Sequence, residues 1–471
     1  MNDAPHLNRS AGAPGEGAVP HRSIVLIVST AAAFLTPFMS AALNVALPTI
    51  GREFDMSAVL LGWVQTSFIL AAAVFLVPFG KLADIHGRKK IFAWGSVFYA
   101  LTSILSALSA SPGALLASRV LQGAGGAMIF STGVAMLTSV YPLNKRGKVL
   151  GINVASTYLG LSLGPVLGGV LTQHLGWRSI FWINGVLGLL VFGLVLAFLK
   201  GDWAEARGER FDAAGAFLLG LTLIAVMLGL SRLPKAAGGI LLLAGAAAAV
   251  LFIRLELRTP HPVLNMNLFR KNSVFAFSNL AALINYSATF AVGFLVSLYL
   301  QYFKGLSPQQ AGLILIAQPV MMAVFSPLTG RLSDRIEPRI LASLGMALSV
   351  GGLLAMSLLR PGTGLGFVVA ALMLLGFGFA LFSSPNTNAV MSSVEKKFYG
   401  VASATLGTMR MTGQMLSMGT AMFIFSLFLG GARITPDVFP QFLTAIRTAF
   451  WFFAALCLVG VFASLKRGRL R

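Results

Sequence analysis

The chain has 471 residues, of which 56% are hydrophobic and only 10% charged, far below the roughly 25% charge of a soluble globular protein. That excludes a body dissolved in water, and the formal net charge of +21 does not reverse the conclusion. The basic residues sit in short loops between apolar blocks, as the positive-inside rule requires, and not in the continuous patch a nucleic acid would need. Cys457, the sole cysteine, lies in an apolar run, so internal disulfides and multi-cysteine metal sites are excluded as well.

Residues 1–22 are polar and rich in Pro, Gly and Ala, with no cleavage-signal pattern, and are expected to be a disordered tail. A bilayer core of ~30 Å takes about 20 apolar residues of helix. Fourteen such segments begin near Ser23, Ser57, Ile91, Gly113, Lys148, Ser179, Ala213, Gly238, Ser273, Ala311, Ile340, Gly364, Gly400 and Arg447. Between the seventh and eighth, only Pro234 and Lys235 mark a break. The expectation is an all-α membrane protein in contact with the lipid bilayer.

Charge sets the expected orientation. With the N-terminus inside, alternate loops carry Lys81, Arg88, Lys89 and Lys90; Lys145, Arg146 and Lys148; Lys200, Arg207 and Arg210; Arg254, Arg258, Arg270 and Lys271; Arg331, Arg335 and Arg339; and Lys396 and Lys397. Together with the basic tails this places roughly 25 cations on one side and about eight on the other, Arg447 among the latter, which puts both termini in the cytoplasm.

The chain repeats itself. Gly80-Lys-Leu-Ala-Asp84 returns as Gly330-Arg-Leu-Ser-Asp334, 250 positions later, and Gly123-Ala-Gly125 returns as Gly376-Phe-Gly378. Two copies of a six-helix unit are therefore expected over residues 23–199 and 273–466. A linker with two additional helices lies between them at 200–272, and a basic tail follows at 467–471. Duplicated halves with a substrate site at their interface are characteristic of transporters.

Three motifs carry chemistry. The loop Gly80-Lys-Leu-Ala-Asp84-Ile-His-Gly87-Arg88-Lys-Lys combines glycines for a tight turn with an acid that can face a helix N-terminus or a nearby arginine. A contact of this kind exists in only one arrangement of the halves and so acts as a latch, echoed by Gly330, Asp334 and Arg335. Arg119 lies inside the fourth apolar segment, in Arg119-Val-Leu-Gln122-Gly. Within hydrocarbon a charge must face a cavity or partner, or else snorkel to the interface. In the fifth segment, Gly160, Gly164 and Gly168 share one helix face beside Pro165 and Gly169, a groove for close helix packing next to a bend.

In order, these three stretches resemble signature motifs of the major facilitator superfamily, the third being typical of its antiporters. Asn44-Val-Ala-Leu-Pro48, Gly176-Trp-Arg-Ser-Ile-Phe-Trp-Ile-Asn184, Tyr299-Leu-Gln301 and Ser307-Pro-Gln-Gln-Ala-Gly312 are similar to stretches of its fourteen-helix drug:proton antiporters. The resemblance implies the major facilitator fold of two six-helix bundles plus two inserted helices. It also implies a cytoplasmic gate at Asp84 and Arg88, proton coupling through Arg119 and Asp84, and a bend at Pro165 that seals the halves. The sequence departs from the family pattern at Ile85, where an Arg is usual, at Glu337, where the repeat should have Gly, and at Met39, where the family often has Asp.

The fourteen acidic residues all fall in loops, tails or helix ends. A buried acid is the usual proton carrier and the usual partner of a cationic drug, so its absence argues against an exporter built around a dication. The interior offers neutral and soft groups instead: Met39, Asn44, Gln65 and Gln122 in the first half, and Asn285, Tyr286, Asn386, Met411 and Gln414 in the second, with Arg410 as a second embedded cation. Each of these can equally serve helix–helix packing. By the resemblance, the first, fourth, ninth and twelfth helices line the cavity.

The expected function is export of amphipathic or toxic small molecules from a bacterial inner membrane, by a monomer driven by protons. The alternative is a transporter of an anionic or neutral metabolite, favoured by Arg119, Arg410 and the missing acid. No cofactor is expected. An enzyme is not expected, because no Ser/His/Asp set, metal cluster or phosphate loop is present. A flux-free receptor would leave the duplicated gate loops unexplained.

Overall fold

The computed structural model describes residues 19–199, 201–260, 262–395 and 399–468. Most of the expected disordered tail, together with Lys200, His261, Lys396, Lys397 and the residues from 469 onward, lies outside the described residues. Those described form helices and connections, without a strand.

Fourteen helices are long and apolar enough to cross a membrane. In chain order they are α1 (Val19–Glu53), α2 (Ala58–His86), α3 (Arg88–Ala107), α4 (Pro112–Val140), α5 (Leu143–Leu175), α6 (Arg178–Phe198), α7 (Ala213–Arg232) and α8 (Ala236–Glu256). A short helix, Met266–Lys271, leads into α9 (Ser273–Phe303), followed by α10 (Pro308–Leu332), α11 (Pro338–Ser357), α12 (Leu365–Ser392), α13 (Tyr399–Leu429) and α14 (Phe439–Leu465). An even number of crossings returns the chain to the face on which it began, here called the terminal face.

Local chemistry sets the helix starts. Ser57 and Ser111 accept hydrogen bonds from the first-turn amides of α2 and α4, Asp212 and Asn272 do so for α7 and α9, and Ser307 forms a capping box with Gln310 at α10. Polar caps and amphipathic turns extend beyond the apolar block, so several helices start before their hydrophobic run. Helix α5 begins at Leu143, which places Lys145, Arg146 and Lys148 on its first turns and not in a loop. Helix α14 begins at Phe439 and not near Arg447, whose Nε donates to the Ser357 carbonyl from inside the helix, 3.0 Å away.

Packing follows the repeat. In the first copy α1 packs on α5, α2 on α4, and α3 on α4 and α6. In the second, α9 packs on α13, α10 on α12, and α11 on α12 and α14. These are the same pairs advanced by eight helices. The copies meet along two seams related by the same correspondence, α2 with α13 and α5 with α10. Helix α7 lies over the first seam, touching both α2 and α13, with α8 behind it. The core is the apolar interior of these contacts, and leucines, phenylalanines and tryptophans cover the periphery, with Trp94 and Leu243 strongly exposed, as a lipid-facing surface requires.

Candidate functional site

The gate loop joins α2 to α3. Gly87 adopts a left-handed φ of +117° and has the Asp202 carboxylate directly where a Cβ would stand, so only glycine fits. Asp202 accepts the Lys89 amide at 3.0 Å and thereby caps α3. Arg88, nearly fully buried, bonds Asp84 at 2.7 Å and Glu205 at 2.7 and 2.9 Å, and also the Ser139 hydroxyl on α4. Lys81 pairs with Glu209 at 2.5 Å. Two backbone bonds, Arg88 N–H to Trp203 O and Ala206 N–H to Asp84 O, complete the attachment at 2.9 Å each. The segment after α6 is thus strapped to the gate loop by three carboxylates. Partial burial alone would raise the Glu205 carboxyl, but the hydrogen bond and charge of Arg88 and the Ser139 hydroxyl hold it below its ordinary value.

The second copy is built differently. Gly330 packs near Ser384, and Asn388 on α12 donates to Ser333 Oγ at 2.9 Å and to Asp334 at 3.4 Å. Arg335 is exposed.

Arg119 does not reach an interface. It is completely buried, with Nε donating to the Val64 carbonyl at 3.1 Å, Nη1 to Gln122 Oε1 at 2.6 Å, and the guanidinium 4.5 Å from the Phe68 ring centroid. Its remaining Nη2 and the Gln122 amide nitrogen have no hydrogen-bond partner. Gln65 donates to Ser40 on α1. Arg119 and Gln122 on α4 are thus bonded to each other and to the α2 backbone, and Gln65, next to Val64, joins α2 to α1.

The glycine string serves two neighbours. Gly160, Gly164 and Gly168 abut the α1 backbone from Phe34 to Ala42, within the first copy. Gly169 abuts Pro308 and Gln309, and the Pro165 carbonyl meets Gly312, both on α10 of the second copy. More cross-links gather at this same end, opposite the terminal face. Ser297 donates to the Asn44 carbonyl at 2.6 Å, Gln301 to Val45 at 2.8 Å, and Tyr302 to Pro48 at 3.3 Å. Arg433 pairs with Asp55, and Gln309 meets His174 and Gln173. A concavity of about 530 Å³ on this face, lined by Thr49, Arg52, Glu53, Thr172, Gln173 and Pro308, lies outside that closure.

At mid-length the copies meet in a separate apolar cluster of Tyr158 on α5, Met322 on α10 and Phe379 on α12. Tyr286 stands edge-on to Phe379, 5.3 Å between centroids. Above it the Arg410 guanidinium lies 5.8 Å from the Tyr286 ring and donates to Thr387 Oγ1 at 2.8 Å. Arg410 is half-buried, its Nε has no partner, and it forms no ion pair among the described residues. Here a candidate cation, aromatic rings and both copies converge at mid-length.

The other candidates are dispersed. Met39 is buried in α1. Asn44 faces Gly293 in the closed end, with its Oδ1 unsatisfied. Asn285 is fully buried with both amide atoms unpartnered. Met411 and Gln414 are half-buried on α13. Asn386 is a structural tie and not a free cavity group: its amide nitrogen donates to Ser278 O at 3.1 Å and its oxygen accepts from Arg467 at 3.0 Å. Arg467, at the head of the expected basic tail, is buried there, and burial draws its guanidinium down to about 10. Sequence reading missed the strap acids, Tyr158 and Arg467. Tyr158 stands one half-turn before Gly160 and was within reach of the motif; Lys89, Arg88 and Lys81, which meet Asp202, Glu205 and Glu209, lie more than a hundred positions away, where spacing carries no signal.

Comparison with known proteins agrees with this architecture. The Major Facilitator Superfamily profile matches residues 30–418 and 278–469. The chain is 28% identical to the riboflavin transporter RibZ of Clostridioides difficile over 93% of this chain and 96% of that protein. It is 30% identical to the multidrug resistance protein Stp of Mycobacterium tuberculosis, covering 88% and 79%, and 32% identical to the cephamycin export protein CmcT of Amycolatopsis lactamdurans, covering 85% and 84%. A bacterial homologue of the human lysosomal transporter Spinster, solved inward-facing and unoccupied, shares the fold with a TM-score of 0.70 at 17% identity, over 96% of this chain and 98% of that one. The chain belongs to the major facilitator superfamily and is a multi-pass membrane transporter of small molecules.

Proposed function

We propose that the chain exports amphipathic small molecules by alternating access, coupled to inward proton flow, as a monomer in a bacterial inner membrane with both termini in the cytoplasm. The closure of the two copies at the end opposite the terminal face carries the reading. Hydrogen bonds from α9 onto the α1 backbone and the α5–α10 contact seal one end, while the gate loop is tied to the strap. With the termini inside, that is an inward-facing arrangement, in which the Asp84–Arg88 loop is held by the strap. Residues 23–199 and 273–466 are the moving bodies, with 200–272 between them. Three relatives are named for drug resistance or antibiotic export. Arg119 and Asp84 are the proposed coupling groups.

Arg410 favours a second reading, in which the substrate is neutral or anionic. A half-buried guanidinium beside Tyr286, with no acid paired to it among the described residues, is matched by a ligand that brings its own acceptor. The riboflavin transporter among the relatives is compatible with it. Proteoliposomes with an imposed pH gradient separate the two. Gradient-driven movement of a cationic dye supports the exporter reading, and movement of acidic or neutral solutes alone supports the second.

A further inference from the structure

The foot of the α7–α8 hairpin holds two carboxyl groups that none of the functions above uses. Asp212 caps α7, its Oδ1 accepting the Gly215 amide at 2.8 Å. Glu256 ends α8, only 1% exposed, with its Oε2 accepting the Leu264 amide at 2.7 Å. The second oxygens of both, Asp212 Oδ2 and Glu256 Oε1, have no donor. They nevertheless crowd the same space beside Gly215, 2.4 and 2.2 Å from the point where a Cβ there would stand. Two buried acceptors face to face without a hydrogen between them repel as a pair of anions. One proton converts that repulsion into a strong hydrogen bond.

Among the described residues the surroundings supply no alternative donor to these two oxygens. Arg210, Arg254 and Arg258, the nearest cations along the chain, are exposed. On α2, which packs against α7, Lys81 is paired with Glu209 and His86 bonds its own helix at Leu82 O. On α13, Arg410 is bonded to Thr387. Among the described residues of the connector beyond α8, Leu264 donates its backbone amide to Glu256.

We propose that Asp212 and Glu256 form a proton-binding pair, holding one proton between Asp212 Oδ2 and Glu256 Oε1. The proton comes from the adjacent aqueous phase and leaves the pair with a single negative charge. The location gives it leverage. Asp212 ends the strap that grips the gate loop, and Glu256 holds the connector leading to α9, so the shared proton ties the first copy's gate to the entry of the second. This assignment stands whether or not the chain exports drugs.

Infrared spectroscopy of the purified full-length protein in lipid nanodiscs tests it. At neutral pH the parent should show a protonated-carboxyl stretch that disappears on alkalinisation. Glu256→Gln and Asp212→Asn should each lack it, because an amide supplies the donor in place of the proton. No such band in the parent at neutral pH overturns the proposal, as does a band that persists in Asp212→Asn, which would place the proton on Glu256 alone. Loss of the band on adding sodium at constant pH would assign the site to a metal cation and overturn it too. Thermal unfolding at alkaline pH provides a second readout: both variants should unfold at or above the parent's temperature, and a lower value in both would mean that the pair carries no proton.

Discussion

Arg88 and Arg410 show how differently two arginines can be satisfied. Arg88 is enclosed by Asp84, Glu205 and Ser139, and Arg410 keeps a nitrogen unpartnered beside Tyr286. Replacing Arg410 by Ala should weaken binding of acid-bearing solutes by about 10- to 100-fold, the worth of one charge-assisted hydrogen bond of about 1.5–3 kcal/mol. Neutral solutes should bind nearly unchanged, as fluorescence titration of the purified protein would register. At the strap, Glu205 has its carboxyl held below the ordinary value. Its stabilising contribution is therefore present above the unfolded carboxyl's pKa of about 4.3 and disappears as pH falls through the depressed folded value. Glu205 is largely exposed, so solvent screening keeps the effect to about 1 kcal/mol or less. Glu205→Gln should remove that acid-side loss from a thermal-melt pH series while leaving the melt near neutrality only slightly lower.

Helix contacts depend on absent side chains. A Cβ on Gly312 would collide with the Pro165 carbonyl, a backbone atom that cannot rotate away, whereas one on Gly147 or Gly151 would meet nothing. Gly312→Ala should therefore cost about 1–3 kcal/mol through forced separation of α5 and α10, lowering the melting temperature and loosening the closed end. Gly151→Ala, on the same α5, should be neutral or slightly stabilising. The motif's role is thus divided: three glycines hold α5 to α1, and Pro165 with Gly169 holds it to α10. The inserted pair adds an asymmetry. Helix α7 covers the α2–α13 seam, while no inserted helix packs on its counterpart, α5–α10, among the described residues.

For the whole molecule, the pattern of cross-links defines the state. Cys457 is buried and is the sole cysteine, so a Cys457→Ser background leaves engineered pairs free of competition. Cysteines replacing Asp55 and Arg433, which form an ion pair across the closed end, should cross-link readily in the resting protein and stop transport. Addition of a saturating substrate together with a pH gradient should slow the cross-linking as the closed end opens. Cross-linking unchanged by both would mean that this end does not move.

Fourteen hydrophobic blocks, a 250-residue repeat and three ordered motifs are local or periodic properties, and each follows from a bilayer that demands uninterrupted apolar helix and from a duplicated unit. The sequence alone therefore determined the class, the helix count and the family. Helix starts were less legible because caps and amphipathic turns extend past the apolar run, as at Phe439. The site was legible only in part. Arg119 and Arg410 stand out as charges in apolar helices, but whether each meets a carbonyl, a ring or a cavity depends on neighbours on other helices, 55 positions away for Val64 and 23 for Thr387. Only the tertiary structure decided that Arg119 is fully buried against the α2 backbone while Arg410 joins the central cluster. It alone assigned Asn386 to a tie with Arg467 and brought Glu205 to Arg88, and Asp212 to Glu256. These pairings belong to residues far apart in the chain, and their energies arise from burial and distance, which no local pattern encodes.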